Sequence, residues 1–211
     1  MAKEKPILFS TPMVQAILSG RKSMTRRVAK LPKWLKIQQD GTVYGGSEHD
    51  FGLQPNIKSA ADYWQITPYN VGDILWVRET WCDFGGNFWF KANAKDCAPY
   101  TSIKWRPSIF MPHEAARIIL RVTNVRVERL QDISVQDAKD EGIKVHANGC
   151  KDGLAFGCYN GDDCVYNRCK RPIEYFHELW ESINAKRGYG WDTNPWVWVV
   201  EFERCEKPED I

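Results

Sequence analysis

Lys22 and Thr25 stand three residues apart, just past a helix stop, in the segment Leu18-Ser19-Gly20-Arg21-Lys22-Ser23-Met24-Thr25. A turn at that point brings an ammonium and a hydroxyl to one place. Such a pair is suited to binding an anion or a carbonyl oxygen, with an attacking or positioning group beside it. A solvated basic loop uses the same residue types, and spacing alone favours that plainer reading. From Arg21 to Lys36 the chain carries seven basic residues and no acidic one. Arg26, Arg27, Lys30, Lys33 and Lys36 surround Trp34, the composition of a phosphate-contacting stripe with a stacking aromatic. A plain charged face accounts for that run equally well.

The elements that must position these groups are readable in outline. Residues 10–20 form a helix, with Thr11 as cap, Pro12 at the first helical position and Gly20 as the stop. Gly72-Asp73 is a turn into a strand over 74–81, with residues 87–92 as its hairpin partner. Residues 117–130 read as one long strand whose alternation slips. Ile118, Leu120 and Val122 share one parity, Val125 and Val127 the other, so a bulge or bend is expected at Asn124. Ser134 with Asp137 resembles a capping box opening a short helix that ends at Gly142. Residues 172–183 return to helix, with Ile173, Phe176, Leu179, Trp180 and Ile183 at core spacing, and 196–203 close as a strand. This order predicts a mixed α+β domain around a small, partly closed β-barrel.

The chain has 211 residues and a net charge of +2, which suits a single domain and excludes a polycation or an acidic tail protein. The opening MAKEKPILF lacks a signal-peptide core and no run is long enough to span a membrane, so the expected address is the cytoplasm. Residues 38–60 and 144–171 are polar or Gly-rich without periodicity and read as insertions into one domain spanning 1–211. The second stretch holds Cys150, Cys158, Cys164 and Cys169. Four thiolates in a segment with little apolar content can fold around a structural zinc. Irregular intervals, with no Cys-x2-Cys knuckle, favour reduced, unliganded thiols in an accessory loop over that zinc.

Four blocks together resemble the ASCH domain, a branch of the PUA-like fold associated with RNA. They are Gly20-Arg21-Lys22-x-x-Thr25, Gly72-Asp73-Ile74-Leu75, Ala138-Lys139-Asp140-Glu141 and Trp198-Val199-Val200-Glu201-Phe202. Their spread is similar to that of larger phage or prophage-encoded members. The resemblance implies a PUA-like small β-barrel with flanking helices. Some small members of the family are amidohydrolases that remove the acetyl group from N4-acetylcytidine, and others bind RNA. By motif matching, the catalytic Lys, Thr and Glu of those hydrolases fall at Lys22, Thr25 and Glu141. Amide hydrolysis needs a nucleophile, a proton carrier and oxyanion stabilisation, and these side chains supply such groups without revealing which does which. No cofactor is required for that chemistry.

The chain departs from those hydrolases by being about twice as long and by following Thr25 with Arg26-Arg27. Arg21, Arg26, Arg27, Lys33 and Trp34 are therefore candidate contacts to RNA or a modified nucleoside. Arg78 and Glu79 join them from the strand over 74–81, where an inward Arg holds a base or phosphate, or else closes an internal ion pair. Three classes remain open: an amidohydrolase of N4-acylated cytidine, a non-catalytic RNA-binding module, and a phage interaction protein with a vestigial pocket and an unknown protein partner.

Overall fold

The computed structural model describes residues 3–30, 35–37, 43–45, 68–84, 86–96, 104–143 and 171–207. The main sheet comprises β1 (Glu4–Leu8), β2 (Met24–Val28), β5 (Ile74–Arg78), β8 (Ile119–Arg129) and β9 (Trp196–Cys205) in the order β1-β5-β8-β9-β2. β1 runs parallel to β5, and every other pairing is antiparallel. Two hairpins stand apart from it: β3 (Leu35–Ile37) with β4 (Val43–Gly45), and β6 (Trp81–Phe84) with β7 (Asn87–Phe90). Among the described residues three α-helices complete the set: α1 (Thr11–Leu18), α2 (Val135–Asp140) and α3 (Pro172–Asn184).

β9 explains the rest of the architecture. Its alternating side chains bury on both faces of the sheet. Trp198, Val200 and Phe202 face a core built with Ile7, Val14, Ile17, Leu75, Leu120 and Val125. Val197 and Val199 face the other, built with Met24, Leu130, Ala138, Phe176 and Trp180. The parity slip in β8 is a bulge between Val122 and Asn124, as the sequence predicts. It returns Val125 to the core that Leu120 and Val122 already face.

The sheet curls until its edges, β1 and β2, come close. Arg27 Nη2 donates to the Leu8 carbonyl across the gap at 2.8 Å. The expected barrel is thus an open one among the described residues, with a side chain rather than a backbone ladder across its seam.

Two local expectations change. Ser10, not Thr11, is the residue before α1, and Thr11 begins the helix. The strand expected over 74–81 stops at Arg78, and Trp81 starts β6, which pairs with β7. Between them Glu79 turns inward and is 1% exposed, bound to Arg117, so the chain leaves the sheet there. Most of 38–60 and 144–171 lies outside the described residues. Among the described residues no helix is long and apolar enough to cross a membrane.

Asp73 ties β1 to the turn before β5. It accepts from the backbone N–H of Lys3 (3.0 Å) and of Asn70 (2.9 Å) and from the Lys5 ammonium. Burial pushes its pKa up, but these donors outweigh burial and hold it below the ordinary value. A carboxylate depressed in the folded state adds stability above its unfolded pKa, and that stability is lost as pH falls through the folded value. Asp73→Asn should therefore cost about 1–3 kcal/mol at pH 7. The difference from the parent should shrink below about pH 4. Urea unfolding at pH 7 and pH 3 checks this, and an equal difference at both would contradict it.

Candidate functional site

β2 is a short strand with polar side chains, Met24-Thr25-Arg26-Arg27-Val28, paired on one side only, to β9. The turn before it fixes its entry. Gly20 has φ +73°, which lets α1 stop, and the N–H groups of Arg21 and Lys22 both donate to the Ala16 carbonyl at 2.9 and 3.1 Å. Ser23 N–H then donates to the Asp140 carbonyl at 2.9 Å, at the end of α2. Ser134 and Asp137 close the expected capping box at the other end of that helix. Gly142 has φ +94°, and a Cβ there would lie 2.8 Å from Ala16 Cβ and 3.0 Å from Lys22 Cβ. Only a glycine lets the chain after α2 pass this close to the Lys22 turn.

That approach sets Glu141 opposite Lys22. The Lys22 ammonium donates to Glu141 Oε2 at 2.6 Å and to the Glu141 carbonyl at 2.9 Å. The Lys22 side chain is 0% exposed and that of Glu141 is 4%. Phe9 covers the ammonium from another side, its ring centroid 5.5 Å away. Burial pushes the Lys22 pKa down, and Arg27 and Arg26 add to this against the raising pull of Glu141. The second carboxylate oxygen, Oε1, is buried and makes no hydrogen bond, with Arg26 Nη1 3.5 Å away.

Arg26 is fully buried and bound to carboxylates. It donates through Nη2 to Glu128 Oε1 (2.5 Å) and to Asp137 Oδ2 (3.0 Å). Arg126 reaches the same two carboxylates and also Glu201. Burial pushes the Asp137 pKa up, but the Ser134 backbone N–H, Arg26, the Ser134 hydroxyl and Arg126 together lower it. The network behind β2 is therefore ionic and holds the strand against α2.

A cavity of about 230 Å³ opens along the unpaired edge of β2. Thr25, Arg26, Arg27 and Val28 all line it, which both side-chain parities can do only at a free edge. Glu141 forms part of its wall, and α3 covers it with Phe176, Leu179, Trp180 and Ile183. Ile183 is 44% exposed for that reason, although its spacing puts it on the core face of the helix. Lys30 and Arg187 add exposed cations at the lining, and Asn184 a buried amide. Thr25 and Glu141 thus share the cavity, while Lys22 sits behind Glu141.

The other candidate residues go elsewhere. Arg21 Nη1 donates to the Gly142 carbonyl at 2.9 Å, latching the turn. Arg78 Nε donates to the Met111 carbonyl at 3.1 Å, with its guanidinium 4.9 Å from the Trp76 ring centroid. Glu79 takes a two-bond contact from Arg117, at 2.8 and 3.0 Å. Neither Arg78 nor Glu79 lines the cavity. Lys33 and Trp34 lie outside the described residues, as do Cys150, Cys158, Cys164 and Cys169. Among the described residues no three His, Cys, Asp or Glu side chains form a metal-binding group. Sequence reasoning missed Asn184, Arg187, Glu128 and Asp137 as parts of this region. They are ordinary polar residues until the fold brings α3 and β8 to β2.

Removing one partner of a buried ion pair strands the other charge, at about 3–5 kcal/mol. Lys22→Met should show that loss in urea unfolding at pH 7. Lys22→Met with Glu141→Leu should cost much less than the two single losses added together, because neither charge is then left alone. Additive costs would contradict a coupled pair.

No family model matches this chain, and no curated protein matches it. The chain is similar to solved structures that include the ASCH domain from Lactobacillus crispatus JV V101. That match has a TM-score of 0.41 and 11% identity, and covers 96% of this chain and 79% of the other. Another is protein EF3133 from Enterococcus faecalis V583, of family-model DUF984, with a TM-score of 0.43 and 10% identity over 100% of this chain and 85% of that one. Similarity at this level carries no argument about the site, which rests on its own geometry.

Proposed function

We propose that this chain is an ASCH-type amidohydrolase that removes the acyl group from an N4-acylated cytidine, free or within RNA. The observation that carries this reading is Glu141 Oε1, which makes no hydrogen bond and has Arg26 Nη1 3.5 Å away, at a cavity that Glu141 shares with Thr25, with the Lys22 ammonium fixed behind it. A buried carboxylate oxygen without a donor is costly unless a ligand supplies one. An exocyclic amide N–H, or the proton of an attacking hydroxyl, meets that need. The cavity lies below the ~300–1,000 Å³ range of drug-sized pockets and suits a single base.

In the proposed reaction, the Thr25 Oγ attacks the amide carbonyl carbon while its proton passes to Glu141 Oε1. The carbonyl oxygen carries the negative charge of the tetrahedral adduct, facing the cations that line the cavity. Collapse breaks the C–N bond, and Glu141 returns the proton to the departing cytidine amine. Water then hydrolyses the Thr25 ester, releasing the carboxylic acid and restoring the hydroxyl. Lys22 opposes the charge of Glu141 and holds its carboxylate in place, acting through that residue and not on substrate.

Two features of the sequence and fold support RNA or a nucleoside as the substrate class. One is the motif resemblance, and the other is the set of Arg27, Lys30 and Arg187 at the cavity. The same cations favour a second reading, a binding module without turnover.

Chromatography of N4-acetylcytidine, as nucleoside and in a short RNA, separates the readings. Wild-type protein should release cytidine, and Glu141→Gln should lower kcat by about a hundredfold or more. No turnover of either substrate by folded protein would overturn the hydrolase reading, leaving RNA binding as the alternative.

A further inference from the structure

A second hollow, of about 420 Å³, lies in the seam between β1 and β2. Its lining includes Leu8, Pro68, Tyr69 and Trp198, and among the described residues no carboxylate. Three residues, Arg27, Val28 and Lys30, line both this hollow and the cavity that holds Thr25 and Glu141. The two are therefore adjoining compartments separated by one cationic wall. In that wall, Arg27 spends one nitrogen on the Leu8 carbonyl, while its Nε is buried without a hydrogen-bond partner. The Lys30 side chain belongs to an exposed residue and closes the wall on the solvent side.

Each compartment has a chemistry. The first has polar groups to read a base edge, Glu141, Thr25 and Asn184, beneath an apolar helix. The second is apolar and aromatic, which suits the face of a flat ring but offers little to its edges. Between them stand two cations, one with an unused donor. A base, a phosphate and a second base repeat in that order along a single-stranded nucleic acid.

We infer that the seam is a second nucleotide subsite, so that the preferred ligand is an oligonucleotide and not a free nucleoside. The inference rests on the base-binding reading of the first cavity and adds to it the neighbouring nucleotide and the phosphate that joins the two. Arg27 and Lys30 take that phosphate, and the Tyr69 side of the seam takes the adjoining base. Among the described residues the seam offers few edge-reading groups, so the subsite accepts a purine or a pyrimidine neighbour. Exposed Lys30 provides a clean probe, since its replacement leaves no buried group behind.

Calorimetric binding at several salt concentrations tests this without relying on turnover. The ligands are cytidine, the ribodinucleotides CpA and CpU, and their deoxy counterparts. The dinucleotides should bind at least tenfold tighter than cytidine, with little difference between CpA and CpU. Their affinity should fall as salt rises, because a cation–phosphate contact is screened, while that of cytidine should stay nearly constant. Lys30→Glu should remove most of the dinucleotide advantage. Ribo and deoxy ligands with equal advantages assign the subsite to base and phosphate, and a ribo-only advantage assigns it to RNA; both support it. Equal affinity for cytidine and dinucleotide would overturn the subsite while leaving the hydrolase reading intact. A dinucleotide advantage indifferent to Lys30→Glu would also overturn it, and binding of none of these ligands would overturn both.

Discussion

An ammonium with no exposure to water must have a partner, and Lys22 has one in Glu141. Much of the local structure serves that requirement. Gly20 and Gly142 take positive φ so that two chain reversals can touch, and Ala16 accepts from both N–H groups of the first. The capping box of α2 holds the helix whose end delivers Glu141. Phe9 closes off the remaining side of the ammonium. The pair leaves Glu141 Oε1 without a hydrogen bond, 3.5 Å from Arg26 Nη1, and in the proposed reaction that oxygen takes the proton.

A second buried ion pair shows why burial alone does not make a site. Glu79 is 1% exposed and meets Arg117 through both of its oxygens. Each of its oxygens thus has a donor, and Glu79 lines neither of the two cavities described above. The pair anchors the point where the chain leaves β5 for the β6–β7 hairpin, with Arg117 also stacked 4.1 Å from the Phe90 ring centroid. Glu141 differs in two respects. Its Oε1 lacks a donor, and it stands at the free edge of a strand where space remains.

The sequence made several of these elements legible because their physics is local. The bulge in β8 follows from a change of side-chain parity, and the α2 cap follows from Ser134 and Asp137 alone. Phe176 and Trp180 mark the buried face of α3 by spacing. β2 was not legible as a strand, because its central residues are Thr25, Arg26 and Arg27, and composition reads such a run as a solvated loop. Its strand identity depends on β9 beside it and on Glu128, Asp137 and Glu141 gathered against it from distant parts of the chain. For the same reason Arg26 reads as a surface cation in the sequence and is buried in the fold. Lys22 and Thr25 were marked by residue type and spacing, but Glu141 was reachable only through motif resemblance, since nothing in the spacing says that residue 141 meets residue 22.

The account places ligand binding along the free edge of β2, under α3, and nowhere near the Glu79–Arg117 end of the molecule. An amide proton–nitrogen NMR titration with cytidine, the proposed product, tests that placement most directly. Saturable shifts should concentrate at Thr25, Arg27, Glu141, Gly142 and the second half of α3. Saturable shifts centred on Glu79, Met111 and Arg117, or no saturable shifts at all, would contradict it.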